Sequence, residues 1–155
     1  MMEAKSLNIP NTIKMIITDF DGILTDGSIY ISEDKSISRK LNFKDIMAIS
    51  LLKKSGRDLA IISGEKNSAI DLVAEKFNLT EVHQDIRIKV DVIKSIVERS
   101  NLKQGEFLYM GDDINDIAAL EFSSIKITVP NSTSAVKKVK DIQLTTERGG
   151  DGAFR

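Results

Sequence analysis

Five short strand-like runs, separated by segments with a helical repeat, constrain what this chain can fold into. Ile13 to Thr18, Leu59 to Ile62, Glu81 to His83, Phe107 to Met110 and Ile125 to Val129 read as strands. Between them Ile70, Val73, Ala74 and Phe77 recur at the spacing of one helix face. Val90, Ile93, Ile96 and Val97 share a face likewise, and Ile46, Ile49 and Leu52 do so more briefly. Strands alternating with helices at this spacing imply right-handed crossovers and an α/β fold, a doubly wound Rossmann-like parallel sheet. With 155 residues, 41% hydrophobic and 29% charged, the chain reads as one soluble domain spanning 1–155.

Two segments break the alternation. From 28 to 41, apolar and polar residues alternate on both sides of the turn Glu33-Asp34-Lys35, which predicts a β-hairpin directly after the first strand and its acids. It sits immediately after the first acidic pair, where a small flap could partly cover a site. The stretch 148–155 carries three glycines and reads as a mobile tail, not a packed element.

The chemistry sits at the strand ends. Asp19-Phe20-Asp21-Gly22 follows the first strand, and Gly111-Asp112-Asp113-Ile114-Asn115-Asp116 follows the fourth. Acids so close to buried strands bind a cation or move protons. Ligands of an open parallel sheet bind at the C-terminal strand ends, where Ser63-Gly64 and Lys89 also arrive. Magnesium prefers a few hard oxygens plus phosphate, so the set reads as a Mg2+ site that handles phosphoryl groups. One aspartate can attack phosphorus while its neighbour shuttles the proton. Arg87 competes with Lys89 for the cationic role, and His83, the one histidine, is given none.

Asp19-Phe20-Asp21-Gly22-Ile23-Leu24-Thr25-Asp26-Gly27 resembles the first motif of the haloacid dehalogenase (HAD) superfamily of aspartyl-phosphate phosphatases. Ser63, Lys89 and Gly111-Asp112-Asp113 follow in the order of its other motifs. The hairpin, Asn42-Phe43-Lys44-Asp45 and the tail Arg148-Gly149-Gly150-Asp151-Gly152 are similar to the capless branch. That branch contains the 3-deoxy-D-manno-octulosonate 8-phosphate (KDO 8-phosphate) phosphatases, the nonulosonate 9-phosphate phosphatases and the C-terminal domain of animal CMP-sialate synthetases.

The resemblance implies that Asp19 is the nucleophile and Asp21 the proton donor and acceptor. Ser63, Gly64 and Lys89 would hold the phosphate; Asp19, Asp112 and the Asp21 carbonyl would hold magnesium. Asp113 would support the ion through its water, with Asp116 further out. Thr25, Asp45, Glu65 and Lys66 are the candidates for the rest of the substrate, Asp45 having a helix-start alternative. The resemblance also implies a homotetramer whose flap and tail meet neighbouring active sites, acting on a small sugar-acid phosphate. Where KDO 8-phosphate phosphatases continue the second motif into Gly-Arg, this chain has Gly64-Glu65-Lys66. Glu65 repels a carboxylate and accepts from hydroxyls, which looks like the nine-carbon-acid enzymes, so the sugar is left open between eight and nine carbons.

Other classes fit less well. A formal net charge of -1 gives no general attraction to nucleic acid or an acidic membrane surface. The absence of cysteine excludes disulfides and thiolate chemistry. No apolar run approaches a membrane span and no secretory signal is visible, which predicts a cytoplasmic protein. A signalling receiver domain would place its acceptor aspartate after the third strand, where this chain has His83-Gln84. A non-catalytic assembly domain would have no need of the acids.

Overall fold

Residues 6–155 are described in a computed structural model of the chain. Along it run β1 (Met15–Thr18), β2 (Tyr30–Ile31), β3 (Ile37–Ser38), α1 (Phe43–Lys54), β4 (Asp58–Ile62), α2 (Ser68–Phe77) and β5 (Glu81–His83). There follow α3 (Lys89–Arg99), β6 (Phe107–Met110), a 3-10 turn at Ile114–Asp116, α4 (Ile117–Phe122), β7 (Ile125–Thr128), a second 3-10 turn at Val136–Lys138 and β8 (Gln143–Leu144). Six strands form one sheet in the order β5-β4-β1-β6-β7-β8, with each neighbouring pair parallel. The expected doubly wound α/β sheet is the observed one.

Strands buried on both faces need apolar side chains pointing both ways, and β4 shows the division. Leu59 and Ile61 pack with Ile49, Ile70 and Val73 under α1 and α2. Ala60 and Ile62 pack with Ile93, Ile96, Ala119 and Leu120 under α3 and α4. Asn42 caps α1 by accepting from the Lys44 N–H, and Asn67 caps α2 through the Ile70 N–H. α3 has no side-chain cap, and its first residue, Lys89, puts a cation where the helix dipole opposes it. That local conflict marks a position held by something other than helix propensity.

The chain lays β4 and β5 to one side of β1, then returns past it to lay β6, β7 and β8 on the other. The order in which strands are added therefore reverses beside β1, the place where such folds bind ligands. Register brings three strand ends level: Thr18 stands opposite Ile61 on one side and Met110 on the other. One or two residues further on come Asp19, Ser63 and Asp112.

β2 and β3 form the antiparallel ribbon of the 28–41 segment, with Tyr30 opposite Ser38 and Ile31 opposite Ile37. The tail corrects the sequence reading. Residues 149–152 are packed: Gly149, Gly150 and Gly152 are buried. The Gly150 N–H donates to the Ile23 carbonyl at 3.0 Å, and the Gly149 N–H to Asn131 Oδ1 at 2.8 Å. A Cβ on Gly149 would overlap the Gly22 carbonyl, so backbone lies directly on backbone. Glycine serves here for close approach, where the sequence suggested mobility. α4 and β8 were also not read from the sequence.

Candidate active site

Asp19 leaves β1 into a tight loop and is buried, its Oδ1 accepting from the Phe20 N–H at 2.6 Å. Gly22 follows in the left-handed region (φ +89°), and a Cβ there would overlap the Asp112 carboxylate. Thr25 is buried inside this loop, where its Oγ1 accepts from the Gly22 and Gly27 N–H groups at 3.2 and 3.1 Å. It also donates to Asp21 Oδ1 at 3.3 Å. Thr25 thus shapes the loop and holds Asp21, and the substrate contact expected of it is not what its neighbours show.

Lys89 reaches the same point from the start of α3. Its side chain is fully buried, with Nζ 2.7 Å from Asp19 Oδ2 and 2.7 Å from Asp116 Oδ1. Burial pulls the ammonium's pKa down, but Asp19 and Asp116 outweigh it and hold it above the ordinary lysine value. Asp116 is saturated by donors. Its Oδ1 takes Lys89 and the buried Tyr109 hydroxyl at 2.6 Å, and its Oδ2 takes the Asp112 and Asp113 N–H groups at 2.9 and 3.1 Å. It stands behind the site as the group that fixes Lys89 and turns the chain after β6. Asp113 is exposed and caps the 3-10 turn through the Ile114 N–H.

Electrostatics tests the metal reading. Single carboxylate oxygens of Asp19, Asp112 and Asp116 lie within 4.8 Å of one another. Three carboxylates against one ammonium leave two unmatched negative charges in a buried place. Burial, then the Asp116 charge, pushes the Asp19 carboxyl well above its usual range, with Lys89 pulling the other way. Burial, then Asp116 and Asp113, raises Asp112 to about 7. Carboxyls lifted this way are short of positive charge, and hard oxygen donors missing two charges suit a small divalent cation.

A cleft of about 890 Å³ opens above this floor, lined by Asp19, Asp21, Ser63, Gly64, Glu65, Asp112 and Asp113. The expected set converges there from three strands. Ser63 is buried at the floor, its Oγ accepting from the Glu65 N–H at 3.2 Å, and Glu65 stands exposed at the rim. Lys66 is exposed and does not line the cleft. Asp45 does not line it either: its oxygens accept the Gly152, Phe154 and Arg155 N–H groups at 3.1, 2.9 and 3.3 Å. Its carboxylate faces the tail, so within this chain Asp45 is a fastening for 152–155, correcting the expected substrate contact.

Some residues at the site were not read from the sequence. Arg39, from the ribbon, donates through Nε to Asp21 Oδ1 at 2.8 Å. Tyr109, inside β6, carries no sequence signal beyond that of a buried strand, yet its hydroxyl donates to Asp116 Oδ1. Gly27, Asp85, Ile86, Asn115 and Arg87 complete the lining, Arg87 being the cation weighed against Lys89 in the sequence. Arg39 lies 18 residues from its partner with no helical or strand period connecting the two, so no local signal exposes the pair.

Comparison with known proteins agrees with this fold. A family model described as haloacid dehalogenase-like hydrolase matches residues 27–154. The 3-deoxy-D-manno-octulosonate 8-phosphate phosphatase KdsC of Escherichia coli (strain K12) is 26% identical over 143 residues, covering 92% of this chain and 76% of that protein. Among solved structures, the 3-deoxy-D-manno-octulosonate 8-phosphate phosphatase of Moraxella catarrhalis, in complex with magnesium, phosphate and KDO, superposes with a TM-score of 0.86. It has 29% identity and covers 92% of this chain and 82% of that one. The probable YrbI family phosphatase of Pseudomonas syringae pv. phaseolica also reaches 0.86, with 31% identity over 92% of this chain and 81% of its own. The chain belongs to the haloacid dehalogenase-like hydrolases, in the capless branch of phosphoric monoester hydrolases.

Proposed function

We propose that this chain is a magnesium-dependent phosphatase that hydrolyses the terminal phosphate of a 2-keto-3-deoxy sugar acid through an aspartyl-phosphate. The observation that carries the reading is Lys89, buried between Asp19 and Asp116 directly beneath the acid-lined cleft at the sheet's switch point. An Asp19 carboxylate oxygen attacks phosphorus, and the bond from phosphorus to the sugar oxygen breaks. Asp21 donates its proton to that leaving oxygen. A water then loses a proton to Asp21 and attacks phosphorus, the Asp19–phosphorus bond breaks, and Asp21 ends protonated as it began. Ser63, the Gly64 backbone and Lys89 hold the phosphoryl oxygens and offset the charge that gathers on them. Asp19, Asp112 and the Asp21 carbonyl would hold magnesium, Asp113 supporting it through water; the ion supplies positive charge to the phosphoryl oxygens.

Glu65 at the rim, with no arginine after Gly64, favours a substrate end rich in hydroxyls over one read by its carboxylate. The relatives named KDO 8-phosphate phosphatases favour the eight-carbon acid. We take residues 1–155 as one domain working in the cytoplasm as a homotetramer. Apolar side chains left exposed on the ribbon and α1 support the assembly: Ile29, Tyr30, Ile31, Phe43 and Met47.

The experiment is phosphate release, with magnesium, from KDO 8-phosphate and from 2-keto-3-deoxy-nononate 9-phosphate in parallel. A preference of about tenfold, or about 1.4 kcal/mol in the transition state, names the sugar and the part Glu65 plays. Turnover must vanish in Asp19→Asn and on removal of magnesium with EDTA. If neither sugar acid is cleaved but a simple aryl phosphate is, the substrate class fails and the chemistry stands. No turnover of any of them brings down the enzyme reading in favour of a non-catalytic assembly domain.

A further inference from the structure

The ribbon between β1 and α1 is exposed along its length, with Tyr30, Ile31 and Ile37 each half exposed or more. Arg39, one residue past β3, is the exception. Its side chain retains only 12% of its accessible surface, because the guanidinium folds back onto the loop after β1. There Nε donates to Asp21 Oδ1 at 2.8 Å, and Thr25 Oγ1 donates to the same oxygen at 3.3 Å. Oδ2 of Asp21 has no hydrogen-bond partner among the described residues.

A carboxylate gripped through one oxygen from two sides keeps its torsions while leaving the other oxygen free. A group that must pass a proton to and from a fixed point needs that arrangement, since a misplacement of about 1 Å can cost about 10²-fold in rate. Asp21 has 28% of its side chain exposed, and the neighbouring fold does little else to hold it. The ribbon is in turn rooted to the same loop: Lys40 lies 3.8 Å from Asp26 Oδ2 and 3.3 Å from Asp151 Oδ1.

We infer that Arg39 is a positioning residue, by which the ribbon aims the Asp21 carboxyl at the leaving oxygen. The inference rests on the reading of Asp21 as proton donor. It predicts a defect that depends on the leaving group, because an alkoxide needs the donated proton and p-nitrophenolate does not. It also predicts that the defect is independent of the rest of the sugar.

The test compares kcat/KM with magnesium for ethyl phosphate and p-nitrophenyl phosphate, a quantity that covers the steps through departure of the leaving group. Asp21→Asn is expected to lose on the order of a hundredfold more on ethyl phosphate than on p-nitrophenyl phosphate. Arg39→Ala is expected to lose about tenfold more, and Arg39→Gln, which keeps a donor, less than that. In the Asp21→Asn background, Arg39→Ala should add almost nothing to the split. Equal losses on both substrates in the Arg39 variants, with the Asp21→Asn split intact, overturn the inference alone. No split in Asp21→Asn overturns the proton-donor reading and this inference with it. A loss confined to sugar-acid phosphates makes Arg39 a substrate contact and rejects the positioning role. If Arg39→Ala fails to fold, Arg39→Gln gives the same comparison.

Discussion

At the residue scale, the site divides its carboxylates between those that are satisfied and those that are not. Asp116 gathers four donors, so its charge is spent inside the protein. Asp112 has the opposite standing, with burial and the charges of Asp116 and Asp113 lifting it to about 7. An unfolded aspartate titrates near 3.9, so the metal-free folded protein holds this proton more tightly than the unfolded chain does. By that sign, the Asp112 contribution favours the folded metal-free protein at low pH and fades as pH rises from about 4 through about 7. Magnesium binding at the proposed site would run the other way, since the ion would need the Asp112 carboxylate. Calorimetric titration with Mg2+ should show affinity falling about tenfold between pH 8 and pH 6, with proton release on binding near pH 7. An affinity independent of pH would remove Asp112 from the ligand set.

At the scale of elements, the legible parts were those whose signal is local. α2 could be read from its apolar face and was found under that face, with Ile70 and Val73 buried. The hairpin alternation from 28 to 41 corresponds to the β2–β3 ribbon. α4 escaped because six residues give too few turns for a period, and β8 because two residues give no alternation. The tail misled because glycine reads locally as freedom, whereas here it permits backbone to lie on backbone. Asp45 is the fastening of that packed segment, buried so that its carboxyl sits above the usual range despite three N–H donors. Asp45→Ala leaves those donors without their acceptor, and a loss of about 2–4 kcal/mol is expected. On a domain this size that is a fall in Tm of roughly 5–15 °C by calorimetry, with faster hydrogen exchange at 22–26. Exchange at 22–26 that stays slow would uncouple the tail from the loop.

At the scale of the molecule, the acids were legible because topology, not local conformation, decides where a parallel sheet binds. Once the strands are placed, Asp19, Ser63 and Asp112 have to meet, and they do. What no strand order reveals is the second ring of support: Arg39 from the ribbon, Tyr109 under Asp116, and the tail against Gly22. The open cleft leads to a prediction at this scale. If neighbouring copies close it, as proposed, Phe43→Asp on the exposed face of α1 should yield smaller species in sedimentation. It should also narrow the preference among sugar phosphates, while p-nitrophenyl phosphate is still turned over. A fully selective monomer would show that each chain encloses its own substrate.

The packing of residues 149–152 on the loop that bears Asp19 and Asp21 has a temporal side. The loop is synthesised well before the clasp that packs on it, and the clasp reaches back over the chain, the Gly152 N–H donating to Asp45 107 residues earlier. Helices and hairpin can form as they emerge, since their contacts are near in sequence. The contacts that residues 149 and 150 make with the loop after β1 are absent until the clasp has been synthesised. A nascent chain that has formed β1 to β6 still lacks part of the packing around Asp19 and Asp21, so the order of that loop is expected to arrive late in folding.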